Sequence, residues 1–183
     1  MLGRSEMRIV CQTGIVVEIP GMLEGSELKN LDLHRAILER ASFSGTTFDG
    51  CGLRNALFPL SVGRAARFLG CSLILTEFQA ADLQDSHFEG GDAAHSDFAG
   101  ANLAGAAFVD IRLESVSFRG SNLDRSDFSR TAITGALLEG AIYSPLTRWP
   151  EGFDPEYSGA ILVGGQTAAF RFLECEAEAS DGI

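Results

Sequence analysis

Residues 96–128 read SDFAGANLAGAAFVDIRLESVSFRGSNLDRSDF, and every fifth residue is large and apolar: Phe98, Leu103, Phe108, Leu113, Phe118, Leu123 and Phe128. Neither the 3.6-residue period of a helix nor the 2-residue period of a strand generates this spacing. A fixed self-similar period is the mark of a repeat architecture. The series extends in unbroken register from Leu23 to Tyr143, twenty-five positions, of which only Gly63 and Ala93 are small. Ten of the thirteen Phe residues fall on it, where chance would place about one in five.

Two residues before each large position sits a small one, as in Ala36, Ala41, Thr46, Cys51, Ala56, Ser61, Ala66 and Cys71. Ile111 and Val116 interrupt that series. One large and one small inward residue per five describes a narrow coil with a filled interior. A longer period is superimposed. Leu28, Phe48, Phe68, Phe88, Phe108 and Phe128 form one column at twenty-residue spacing, and Leu38, Phe58, Phe78, Phe98, Phe118 and Leu138 form another. Between them run Leu33, Leu53, Leu73, Ala93, Leu113 and Ile133, and the fourth column is Leu23, Phe43, Gly63, Leu83, Leu103, Leu123 and Tyr143. Phe and Leu sort by column only if residues twenty apart stack. Four pentapeptides therefore close one square turn, with two Phe walls facing each other. The fold class is all-β: a quadrilateral β-helix, or β-solenoid, of about six coils and roughly 30 Å at strand spacing. Gly at many repeat ends suits tight corners. Gly63 removes a core filler and predicts a distorted coil.

The ends need caps, because open strand edges pair with other chains. Residues 1–22 form an N-terminal capping hairpin: Arg8-Ile9-Val10-Cys11 and Ile15-Val16-Val17-Glu18-Ile19 flank Thr13-Gly14. Residues 23–143 form the solenoid and 144–183 a C-terminal cap. There Asp154-Pro155 predicts a short helix with Asp at the N-cap and Pro at N1. Trp149 and Phe153 would cover the last coil. The apolar run Ala160 to Leu173 either packs on the rod or pairs two chains, and Glu174 to Ile183 is an acidic tail.

The 183 residues carry a net charge of −11, which excludes binding to DNA or anionic membranes by bulk attraction. The charge serves solubility or a basic partner. No stretch reaches the roughly 20 apolar residues of a membrane helix. The N-terminus lacks the apolar run of a secretory signal, so a cytoplasmic location is expected. Cys11, Cys51, Cys71 and Cys175 form neither a disulfide framework nor a metal pair. Cys51 and Cys71 share a column and are read as stacked buried thiols.

The stretches Ala81-Asp82-Leu83, Ser96-Asp97-Phe98, Ala101-Asn102-Leu103, Ser121-Asn122-Leu123 and Ser126-Asp127-Phe128 resemble the A(D/N)LXX motif of pentapeptide-repeat proteins. The resemblance covers about two thirds of the chain. It implies a right-handed coil with β-turns at its corners. One branch of that family protects DNA gyrase or topoisomerase IV from poisons by imitating a DNA duplex, and dimerises through a C-terminal segment. The chain resembles that branch in length, acidity and its C-terminal extension, which implies a type II topoisomerase as partner and a homodimer. It departs from the branch members whose coils are interrupted by loops, because no insertion breaks the count.

Two candidate surfaces stand out. Between Phe68 and Ile111 there are seven acids and no Lys or Arg. That is about two coils, or roughly 10 Å, over which duplex DNA carries about six charges. Glu77, Asp82, Asp85, Glu89, Asp92 and Asp97 are the candidate phosphate surrogates. The same Asp residues also suit local turn bonding. The second surface is apolar: Leu57, Leu60, Val62, Leu69, Ile74 and Leu75 all occupy outward positions. It is either a partner surface or ground covered by a terminal segment. An enzyme is not expected. His34, His87 and His95 fall on different faces, Val163-Gly164-Gly165-Gln166-Thr167 lacks the Lys of a phosphate loop, and a solenoid face is convex. No cofactor or metal is implied.

Overall fold

The structure, a computed structural model, describes residues 6–164. Every member of the five-residue series from Leu23 to Tyr143 is buried. The corners explain why. At every fifth position from Gly25 to Gly140, Arg130 excepted, φ is positive. The turns close by bonds such as Ala36 N to Leu33 O at 3.0 Å and Ala56 N to Leu53 O at 2.9 Å. A positive φ at the third residue of such a turn is the type II pattern. Each corner redirects the chain by a quarter turn and returns the next large side chain to the axis.

Strand β3 (Glu27–Lys29) begins a six-stranded parallel sheet that continues through β5 (Thr47–Asp49), β6 (Arg67–Leu69), β7 (His87–Glu89), β8 (Ala107–Val109) and β9 (Asp127–Arg130). Its register steps by twenty, Leu28 to Phe48 to Phe68 to Phe88. Parallel bridges on the other faces, such as Leu57 to Glu77 and Asp82 to Asn102, keep the same step. The four faces are numbered here by column: face 1 carries Phe48, face 2 Leu53, face 3 Phe58 and face 4 Phe43.

The two Phe columns are confirmed. Within each, rings stack nearly parallel at 4.8 to 5.4 Å. Between columns they meet edge to face, as in Phe88 and Phe98 at 5.6 Å. Each buried Phe contributes about 1.5–3 kcal/mol by transfer alone, and edge contacts add about 0.5–1.5 kcal/mol per pair.

Three features differ from the sequence reading. Gly63 does not distort its coil: the Ser42–Val62–Asp82 bridges run straight past it. The ring of Phe43 occupies the space, and a Cβ on Gly63 would lie 2.0 Å from it. The irregularity falls instead at β9, where Val109 pairs with Arg130 and a bulge enters the ladder. That bulge neighbours Ile111, which stands where the repeat places a small residue. The coil count is about seven instead of six, because β11 (Ile161–Leu162) pairs in parallel with β10 (Ile142–Tyr143). In this last coil the step changes to twenty-one at Asp127–Arg148 and nineteen at Ile142–Ile161.

The helix expected at Asp154-Pro155 is absent; no helix occurs among the described residues. Asp154 Oδ1 does accept the Tyr157 amide at 3.0 Å, as an N-cap would. Gly159 then takes φ +87°, and the chain re-enters the ladder with Ile161 N on Ala141 O at 2.7 Å. Cap chemistry is present, but a Gly four residues after Pro155 ends it within one turn. The stretch after Gly164, including most of the apolar run and the acidic tail, lies outside the described residues.

The N-terminal hairpin is present. Strands β1 (Glu6–Cys11) and β2 (Val16–Pro20) are antiparallel, and β1 pairs with β4 (Ala36–Ile37) of the first coil. Ile9, Cys11 and Ile19 point inward and seal the core.

Candidate functional site

The six acidic candidates form a belt and do not converge on one face. Glu77 and Asp97 are bridged neighbours on face 3. Asp82 lies on face 4, Asp85 at the corner that follows it, Glu89 on face 1 in β7, and Asp92 on face 2. The belt is not made of bare carboxylates. Asp92 and Asp97 each accept the amide two residues ahead, Ala94 at 2.8 Å and Ala99 at 2.9 Å, and Asp82 does so weakly with Gln84 at 3.4 Å. These are the turn bonds that short acidic side chains make. Asp127 repeats the pattern outside the belt, accepting from Ser129 at 2.9 Å.

Three arginines from outside the acidic stretch reach into it, Arg130 pairing with Asp110 at 2.6 Å. Arg64 pairs with Asp82 at 2.6 Å, and Arg112 with Asp92 at 3.2 Å and with Glu114. Burial tends to raise the Asp82 carboxyl, but hydrogen bonds from Arg64 and Gln84 outweigh it and hold it below the usual range. Asp97 accepts from the Gln79 amide at 2.9 Å, and Glu89 faces His87 at 3.0 Å. Among the described residues, Glu77 and Asp85 make no side-chain hydrogen bond or ion pair. The sequence pattern missed the arginine pairs. Their signal was the spacing: eighteen residues from Arg64 to Asp82, twenty from Asp92 to Arg112.

The apolar candidates divide. Leu57 on face 3, Leu60 at the next corner and Val62 on face 4 are contiguous along the chain. Ile74 and Leu75 turn the corner between faces 2 and 3, while Leu69 sits apart on face 1 in β6. No described segment covers them. Leu60 and Leu75 are 48 % and 43 % exposed and adopt φ of 59° and 56°. A branched residue in that region is strained by about 1–2 kcal/mol.

The hairpin adds to the apolar surface instead of covering it. Val10 and Val16 point outward, and Val10 pairs with Ile37, which bridges to Leu57. The even–odd alternation of Arg8–Cys11 carried that signal. Of the twelve large apolar side chains exposed among the described residues, eight lie at or before Leu75 and four at or after Leu146. The acidic waist between them, the stretch 77–110, holds all seven acids and none of these side chains, so charge and exposed apolar surface meet at Leu75 and do not mix from there to Asp110.

His34, His87 and His95 sit on face 2, face 1 and the corner between faces 2 and 3, and no three metal-ligating side chains converge among the described residues. The thiols of Cys51 and Cys71 donate to the Leu28 and Phe48 carbonyls at 3.3 Å. Burial pushes Cys71 up to about 12, which leaves it an inert thiol at neutral pH. Surface hollows are open and shallow; one of about 250 Å³ lies beside the bulge, lined by Ile111, Arg112, Glu114, Ala132 and Thr134.

Comparison with known proteins agrees with this architecture. The family described as pentapeptide repeats (8 copies) matches residues 23–55, and that described as a pentapeptide repeat region matches 64–138, together more than half of the chain. No curated protein matches the sequence. Among solved structures, HetL, a pentapeptide repeat protein involved in heterocyst differentiation regulation from Nostoc sp. strain PCC 7120, is 20 % identical over 73 % of this chain, with a TM-score of 0.47. The match spans 63 % of HetL. The plasmid-mediated fluoroquinolone resistance protein QnrB1 is 17 % identical over 88 % of this chain and 93 % of its own, with a TM-score of 0.39. A pentapeptide repeat protein of the Arabidopsis thaliana thylakoid lumen is 21 % identical over 84 % and 90 %, with a TM-score of 0.29.

Proposed function

The chain belongs to the pentapeptide-repeat family, and on that premise we propose that it is a non-enzymatic protein-interaction scaffold whose acidic waist imitates duplex DNA and occupies the basic DNA saddle of a type II topoisomerase. The observation that carries this reading is the waist: seven acids and no Lys or Arg between Phe68 and Ile111, with all seven inside 77–110, where no large apolar side chain is exposed. Charge set around a rigid rod matches the roughly one charge per 1.7 Å of a duplex. A basic saddle would compete with Arg64 and Arg112 for Asp82 and Asp92, and would find Glu77 and Asp85 without competitors. Occupying the saddle would keep DNA, and hence the drug-trapped cleavage complex, off the enzyme.

The test is a gyrase supercoiling assay with the full chain titrated in, with and without a gyrase poison. Protection or inhibition at micromolar protein supports the reading. No effect at high concentration overturns it.

A second reading draws on Leu60 and Leu75. Ten corner positions use Gly, so nothing in the turn requires a strained, exposed Leu. A scaffold that docks a partner through Leu57, Leu60, Val62 and Leu75 uses that cost. Such docking would be insensitive to salt and lost on Leu75→Glu.

A further inference from the structure

The N-terminal sheet is built in the order β2-β1-β4. Strand β1 is paired on both sides; β2 has no partner on its outer edge among the described residues. Cys11 N donates to Ile15 O at 2.8 Å, and Ile9 faces Val17 in the register. Odd-numbered residues of β2 thus turn their amides and carbonyls toward β1. By the alternation of an antiparallel ladder, Val16 and Glu18 turn theirs outward.

The outer surface of this sheet carries one continuous row. Leu57 bridges to Ile37, Ile37 pairs with Val10, and Val10 pairs with Val16. Val10, Val16 and Ile37 are 46 %, 37 % and 45 % exposed. The row stops at Val16 only because the sheet stops there. Its continuation requires a strand presenting an apolar residue opposite Val16, beyond an edge that offers one N–H and one C=O at that residue.

We propose that the occupant is β2 of a second copy of this chain, paired antiparallel about a two-fold axis at Val16. This goes beyond the proposed function and does not rest on it. In that register Val16 meets Val16 of the second copy and exchanges both backbone bonds with it. The row becomes Leu57, Ile37, Val10 and Val16 followed by the same four residues in reverse. A two-fold contact uses one patch twice, and this patch is complementary to itself. Charge selects the register. With the axis at Val16, Glu18 lies opposite Gly14 of the other copy; with the axis at Glu18, the two carboxylates would face each other, which is unfavourable. Pro20, which cannot donate to a ladder, falls outside the paired segment. The contact joins two rods by their N-terminal ends and leaves both acidic waists free. A short strand pairing buries less than the roughly 1,200 Å² of stable complexes, so the dimer is a weak, reversible one.

Sedimentation of the full chain across a concentration series tests this. The expected result is a monomer–dimer equilibrium in the micromolar range, weakened about tenfold or more by Val16→Lys, as charge on an edge strand blocks pairing. The circular dichroism spectrum should not change. Single cysteines in a Cys175→Ser background fix the register. Val16→Cys should cross-link on oxidation, because directly opposed residues lie about 5.5 Å apart, within disulfide reach. Glu18→Cys should not, being displaced by four positions. A monomer at all concentrations overturns the proposal. So does cross-linking through Glu18→Cys alone, or a dimer that survives Val16→Lys and disappears when residues 165–183 are removed.

Discussion

Trp149 lies face to face on Phe128, with ring centroids 5.2 Å apart and planes 6° from parallel, although twenty-one residues separate them instead of twenty. The indole completes the Phe column of face 1 and is packed edge-on by Tyr143 at 5.6 Å and flanked by Phe153 at 5.3 Å. The repeat thus ends on a larger ring that closes the stack. Trp149→Ala should remove that lid. Because Trp149 is only partly buried, the loss should be about 2–3 kcal/mol, below the 3–5 kcal/mol of a fully buried aromatic, as read by denaturant unfolding. Phe88→Ala, in mid-column, should cost the full amount.

Gly63 gives a test that runs against the repeat pattern. Leu at this position would restore the five-residue series, yet the Phe43 ring occupies the site 2.0 Å from a Cβ. Gly63→Leu should therefore destabilise by about 1–3 kcal/mol or more through overpacking. Adding Phe43→Ala should recover part of that loss, and a thermal-melt double-mutant cycle would read the coupling.

The strained leucines make a paired prediction. Leu60→Gly and Leu75→Gly relieve about 1–2 kcal/mol of left-handed strain and give back roughly 0.5–1 kcal/mol in unfolded-chain entropy. Stability measured by urea unfolding should be unchanged or slightly higher. If these leucines dock a partner, its binding falls while stability does not.

Acid should loosen the rod through particular carboxylates. Asp124 is held below the usual range by its hydrogen bond to Ser144 and by Arg125. For Asp127, burial acts upward but is outweighed by Ser129 and Arg148, and for Asp82 it is outweighed by Arg64 and Gln84. A depressed folded-state pKa contributes stability that is fully present above the unfolded value, near 4, and lost as pH falls through the lowered values. Stability should be flat from neutral pH to about 5 and decline below it. Asp127→Asn should flatten that decline if the carboxylate drives it.

The solenoid was legible because one inward residue in five fixes register unambiguously: Phe48, Phe68 and Phe88 can stack only if four pentapeptides close a turn. What the pattern did not reveal are events in which chain count and space part company. Trp149 joins its column one residue late, and Gly63 is filled by a neighbour's ring. Asp154-Pro155 carries helix-start chemistry that Gly159 cuts short. The acidic belt was legible in composition but not in pairing, since Arg64, Arg112 and Arg130 enter it from adjacent coils. The apolar row Leu57–Ile37–Val10–Val16 joins residues far apart in sequence through β1–β4 pairing, which no local pattern announces.

The most direct test of the waist as a DNA-like surface is titration of purified gyrase with the full chain and with the variant Glu77→Lys/Asp85→Lys/Glu89→Lys, at low and raised salt. These three carboxylates make no hydrogen bond to a turn amide, so the variant should fold and melt like the parent. The parent should bind, with binding that weakens as salt rises and is lost in the variant. Equal binding by the folded variant, or no binding by the parent, would contradict the DNA-like reading of the waist.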